Sequence, residues 1–184
     1  MGPRDEYPAL RAALRILQTI VGMLLMGVLV FLGVATYLTL NRSEPPTEPP
    51  LLTYILMGTA LVAIVAVAYL AAAIVKRARR DLAEDRPARM PGAAAVAVPA
   101  AIADSGDAGR LFPAFQTATI LRAASYEGAA FLCLVAAIVE GHVAGLVGGA
   151  MMAVLLALQI PTGSRAEHHL EAELAEVAGV RQER

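Results

Sequence analysis

Glu127 is the residue whose chemistry is hardest to absorb into ordinary packing. The stretch Gly128 to Val139 that follows it is free of charge. Counting back about 20 residues from Val139, the length a membrane-crossing helix needs, puts the helix entry near Ile120. Glu127 then lies about 10 Å beyond that boundary, at a rise of about 1.5 Å per residue. A carboxylate at such depth is costly unless it is neutralised, paired or hydrated. Two uses fit it: a protonated or hydrogen-bonded acid that locks helices together, or a carboxyl that handles protons or cations. Arg122 precedes it by five residues, about 140° around a helix, and its long side chain can snorkel to the inner interface. Tyr69 is the only polar side chain in the inner half of the preceding apolar stretch and falls at a matching depth. Its hydroxyl donates to a carboxylate or accepts from a carboxylic acid. Glu127, Tyr69 and Arg122 therefore form a candidate intramembrane polar site, with a Glu127–Tyr69 hydrogen bond expected inside the bundle.

Other reactive residue types do not converge. His168 and His169 are adjacent, about 100° apart on a helix, whereas metal pairs on one helix need i, i+3 or i, i+4 placement. His142 falls in a short turn, Glu140-Gly141-His142. The run Asp104-Ser105-Gly106-Asp107-Ala108-Gly109 lacks the ligand ladder and terminal Glu of a calcium loop and reads as a flexible turn. Glycine-rich phosphate loops, Ser/His/Asp sets and CxxC pairs are missing from the sequence. Catalytic, cofactor and metal roles are therefore not expected, and the chain does not read as an enzyme. Cys133 is the single cysteine, so no internal disulfide forms.

The elements that must position Glu127 follow from composition. The 184 residues are 58% hydrophobic and 17% charged, with a formal charge of -1. Soluble domains are about 45–50% apolar and about 25% charged. The departure excludes intrinsic disorder and points to a membrane protein, and the near-neutral balance gives no reason to expect a nucleic-acid partner. Uncharged apolar runs cover Ile16–Leu40, Leu51–Val75 and Val143–Ile160. With the Glu127 helix they predict spans over about 16–40, 51–75, 118–140 and 143–160. The fold expected is all-α: a four-helix transmembrane domain over 1–162 and a cytoplasmic helical tail over 163–184. The first run is too long for the h-region of a cleaved signal and reads as an anchor that stays. Placing both termini in the cytoplasm leaves Arg42 as the only basic residue on the outer side, which is the asymmetry expected of an inner or cell membrane protein.

The central loop, Lys76 to about Pro113, opens with Lys76-Arg77-Ala78-Arg79-Arg80, a cluster suited to anionic headgroups at the inner leaflet. In the tail, Ser164-Arg165-Ala166-Glu167 is a capping-box pattern. Ala166, Leu170, Leu174 and Val177 then repeat at helical spacing up to a stop at Gly179. The acidic opposite face suits either docking on protein, such as the basic loop, or a solvated surface helix. Ser125, Ala129, Cys133, Ala137 and Gly141 fall four apart, as do Gly145, Gly149, Ala153 and Ala157. Stripes of small residues let backbones approach closely where lipid removes the hydrophobic drive, so the third and fourth helices are expected to face each other along these stripes.

Two resemblances follow from these residues. Gln116 to Arg122, then Glu127-Gly128-Ala129-Ala130-Phe131, then Glu140-Gly141, together with Met26-Gly27-Val28 and Ile160-Pro161-Thr162, resemble uncharacterised four-span bacterial membrane proteins. That resemblance implies a four-span fold and no activity. Glu127 through Ile138 is also similar to the acid-bearing helix of rotary ATPase proteolipids. The polar-loop Arg-Gln-Pro of those proteins is absent here, and the glycine-rich helix follows the acid instead of preceding it, so ion translocation is not carried over. The expected role is a structural or accessory membrane protein, in contact with lipid and packing with itself or a protein partner. A small proton- or cation-handling component using Glu127 is the alternative.

Overall fold

The structure, a computed structural model, describes residues 8–46, 48–84, 106–162, 172, 175 and 179. These residues contain four main helices and no strand. Helix α1 is Pro8–Leu40, α2 is Leu51–Ala83, α3 is Gly106–Glu140 and α4 is Val143–Ala157. Three stretches are long and apolar enough to cross a membrane: Ala12–Leu40, Leu51–Ala83 and Gly109–Glu140. Helix α4 is shorter, and turn hydrogen bonds from Leu158, Gln159 and Ile160 carry its coiled backbone three residues further.

The helices end where the sequence stops favouring them. Asn41 ends α1 by donating its side-chain amide to the Tyr37 carbonyl at 2.9 Å, and the proline-rich segment to Pro50 cannot continue a helix. Helices α2 and α3 extend well into what the hydropathy pattern marks as a loop. Helix α2 runs through Lys76-Arg77-Ala78-Arg79-Arg80 as far as Ala83, and α3 starts at Gly106 and passes through Pro113. The segment Gly106–Gly109, expected as a flexible turn, is the first turn of α3. The tail helix expected over 163–184 lies outside the described residues apart from Ala172, Ala175 and Gly179. Gly179, read as its stop, is itself helical.

The chain divides into two compact units. In the first, from residues 1–18, 70–119 and 161–184, Leu14, Leu82, Leu111 and Phe112 form a buried cluster. Packing at Leu111 and Phe112 holds the start of α3 helical despite the proline beside them, because burial outweighs intrinsic preference. In the same unit Gln18 donates to the Pro161 carbonyl at 2.6 Å.

The second unit, from residues 19–69 and 120–160, holds the candidate site. Here Val21 and Val28 of α1 pack with Ala123 and Ala130 of α3 and with Ala153 and Leu156 of α4. Phe31 meets Phe131 edge-on at 5.1 Å, and Thr39 meets the Ala137 carbonyl further along both helices. Helices α1 and α3 therefore run in the same direction, while α2 begins, and α4 turns back, at the end where α3 stops. Of the most apolar window of each helix, 44% is buried in α3 but 11% in α2. Helix α3 is thus the central element, and α2 presents most of its apolar surface outward.

Candidate functional site

Glu127 is half-buried on α3, beside α1. A methyl group built on Gly27 would lie 3.9 Å from its Oε1 atom, so Gly27 is the α1 residue facing the carboxyl. One helical turn on, the Phe31–Phe131 pair closes the same seam. Gly27 and Gly128 are both exposed, and a methyl on Gly128 would meet nothing within 4 Å. The carboxyl is therefore half-buried at the surface of this unit, opposite Gly27. The expected hydrogen bond to Tyr69 is not formed, because Tyr69 is 80% exposed and projects outward from α2. Depth counting sets a residue's height along a helix but not the direction it faces, and α2 turns Tyr69 away. Arg122 is also half-buried, and its carbonyl accepts the Ser125 hydroxyl at 2.7 Å. No hydrogen bond or ion pair joins Glu127, Tyr69 and Arg122 in the structure.

A second polar arrangement lies at the far end of α3. Glu140 is 5% exposed and accepts three hydrogen bonds: from Leu52 N–H at 2.7 Å, from Thr53 N–H at 2.8 Å and from the Thr53 hydroxyl at 2.6 Å. Its location explains these partners. The first N–H groups of α2 have no intrahelical acceptor, and a Ser, Thr, Asp or Asn side chain just ahead of the helix normally supplies one. Here that position is Pro50, whose carbonyl accepts from Tyr54 N–H but whose side chain has no acceptor. Glu140 supplies the missing cap from α3, and its charge suits the positive end of the α2 dipole.

The C-terminus of α3 is finished by Arg42, which donates to the Val139 carbonyl at 2.9 Å and more weakly to Ile138 at 3.4 Å. Its other terminal nitrogen pairs with Glu44 at 3.2 Å. Gly141 reverses the chain with φ +69, and His142 then caps α4 by accepting from Ala144 N–H at 3.2 Å. Sequence reasoning placed Arg42 only as the lone outer cation and left Glu140 as part of a turn. The readable signal was an acid at the end of one helix opposite a neighbour whose N-terminus begins after prolines.

Helix α4 returns along α3 in close contact. A methyl on Gly145 would lie 2.6 Å from the Cys133 carbonyl oxygen and 2.8 Å from the Ala137 Cβ. A methyl on Gly148 would meet the Cys133 sulfur at 3.2 Å. Gly149, however, lies against Leu134, outside the four-apart row of Ala129, Cys133 and Ala137. Four residues turn a helix about 400°, so such a row winds around it by about 40° per step and α4 crosses it. Ala129 is buried, and Ala153 joins the α1–α3–α4 cluster.

Among the described residues, no three His, Cys, Asp or Glu side chains gather as a metal-binding group. No protein-family model, curated protein or solved structure matches the chain. The arrangement supports helix capping at Glu140 and leaves a half-buried carboxyl opposite Gly27 at Glu127.

Proposed function

We propose that the chain is a four-span protein of the cell membrane with both termini cytoplasmic, and that its role is structural or accessory. It packs with itself or with a partner complex and carries out no catalysis. The observation that carries this is the exposed apolar face of α2, 11% buried in its most apolar window, beside the tight contacts that hold α3 and α4 together. In this reading α4 and the turn after it form the fourth span: from Val143 to Ile160 the coiled backbone covers about 26 Å, close to the hydrocarbon thickness of about 30 Å. The cytoplasmic tail carries the acidic helix read from 163–184. Native purification followed by mass spectrometry tests the role. A stoichiometric partner, or the chain alone as an oligomer, supports it, and a lone monomer with a transport activity defeats it.

A second reading, a proton- or cation-handling component, is favoured by one observation: no described residue donates a hydrogen bond to Glu127, which faces Gly27 across the α1–α3 seam. Proton flux in vesicles containing the purified chain separates the two. Flux abolished by Glu127→Gln supports handling, and equal leakage with and without the chain supports the structural role.

A further inference from the structure

Several short polar side chains on these helices bond locally. Thr59, Thr119 and Ser125 return their hydroxyls to carbonyls of their own helices at 2.9, 2.9 and 2.7 Å, as short hydroxyl side chains can. Tyr69 and Glu127 make no hydrogen bond among the described residues, and a tyrosine hydroxyl is held too far from its own backbone to do the same. Hydrocarbon offers neither of them a partner.

The two groups lie at nearly the same height in their unit. The bonds from Leu52 and Thr53 to Glu140 fix the register of α2 against α3. From Thr53 to Tyr69 is about 24 Å of helix, and from Glu140 back to Glu127 about 20 Å. The difference is within the reach of a tyrosine ring and hydroxyl. Val62, Val65 and Tyr69 form one exposed ridge along α2, at 70%, 61% and 80% exposure. Glu127 is half-buried opposite the exposed Gly27 of α1, whose lack of a side chain lets another helix approach closely.

We infer that this chain self-associates in the bilayer, with the Tyr69 ridge of one copy seated on the α1–α3 seam of a second and its hydroxyl hydrogen-bonded to Glu127 there. A second copy is the occupant because the chain itself carries both halves of the pair, donor and acceptor, at one depth and on outward surfaces. The inference rests on the proposed reading of the chain as a membrane protein that packs with itself or a partner, and it names the partner and the contact.

The test places the photo-crosslinking residue p-benzoylphenylalanine at position 69 of the full chain in native membranes. Irradiation is expected to yield a species of twice the chain mass, with the crosslink in the α3 peptide that contains Glu127. The same residue at position 54, exposed near the opposite end of α2, is expected not to reach that peptide. Capture of a different protein from position 69 overturns the self-pairing while leaving the accessory role standing. Capture of lipid alone, with the chain monomeric by single-molecule photobleaching, likewise overturns the self-pairing and leaves the accessory role to the partner search above. In reconstituted vesicles, Tyr69→Phe and Glu127→Ala are each expected to weaken dimerisation about threefold, the size of an average intramembrane hydrogen bond. Combined, they should weaken it no further than either alone, because they remove one shared bond. Glu127→Gln retains an acceptor and is expected to keep the dimer. Fully additive losses, or no loss from either variant, overturn the pairing.

Discussion

Glu140 and Glu127 are carboxyls on one helix with opposite circumstances. Glu140 holds three donors of α2, two of them backbone N–H groups that have no other acceptor. Glu127 holds none among the described residues. Removing the first is therefore expected to cost stability, whereas removing the second is expected to leave the isolated chain's melting temperature nearly unchanged. Thr53→Val deletes one hydroxyl donor and should cost about 1 kcal/mol, or about 3 °C in Tm for a chain of this size. Glu140→Ala uncaps α2 entirely and is expected to lower Tm by at least twice as much, read by thermal unfolding in lipid nanodiscs. An equal loss from the two variants would show that the backbone donors contribute nothing. Gly141→Ala strains a left-handed backbone and sets a methyl 3.0 Å from the Arg42 guanidinium, for an expected loss of about 1–2 kcal/mol. Glu127 was legible in the sequence because a charge within an apolar stretch stands out against hydropathy. Glu140 was not, because its partners are backbone groups on another helix and backbone N–H groups leave no trace in residue types. Tyr69 was legible in height only.

At the scale of elements, hydropathy marks where helices leave the apolar layer and not where they end. The apolar runs ending at Leu40 and starting at Leu51 coincide with helix ends, because a proline-rich segment stops the coil at the same place. The ends of α2 at Ala83 and the start of α3 at Gly106 were hidden. Lys, Arg, Ala and Leu, which dominate residues 76–83, are all strong helix formers, so a basic cluster that ends a span does not end a helix. The stripes of small residues identified close contact between α3 and α4 and the meeting of Gly145 with Cys133 and Ala137, but not the neighbour of Gly149, since a four-apart row winds around its helix. That distinction yields a graded prediction. A methyl on Gly145 meets the Cys133 backbone carbonyl, which cannot move without shifting α3. A methyl on Gly149 meets Cδ2 and Cγ of the buried Leu134 side chain, which can shift without moving the α3 backbone. Gly145→Ala is therefore expected to cost toward the upper part of the range for overpacking, about 3 kcal/mol, and Gly149→Ala nearer about 1 kcal/mol. Gly149→Leu exceeds what a shift of Leu134 relieves and should lower Tm clearly below that of Gly149→Ala. The reverse order for the two alanine variants, measured by the same unfolding assay, would show that α4 is held from α3 by other contacts.

For the whole molecule the prediction concerns which way the chain faces, and charge and geometry bear on it independently. Lys and Arg are retained on the cytoplasmic side of a membrane, and with both ends inside, Arg42 is the one basic residue left outside. Arg42 is also the basic residue with a structural use there: its guanidinium closes the C-terminus of α3 at Val139 and Ile138 and packs over Gly141. Tyr37 and Tyr54 stand exposed near that same end of α1 and α2, where the ring and hydroxyl of a tyrosine suit a membrane–water boundary. Substituted cysteines test the orientation in intact cells, with little background because the native Cys133 is buried. A cysteine at Ser43, which is exposed in the α1–α2 connection, should react with a membrane-impermeant maleimide added from outside. A cysteine at Ser105, between α2 and α3, should react only after the membrane is opened. If position 105 labels from outside and position 43 does not, the orientation is inverted and the basic segment after Val75 faces the exterior. If both label from outside, α2, the helix between them, does not cross, and the four-span arrangement falls with it.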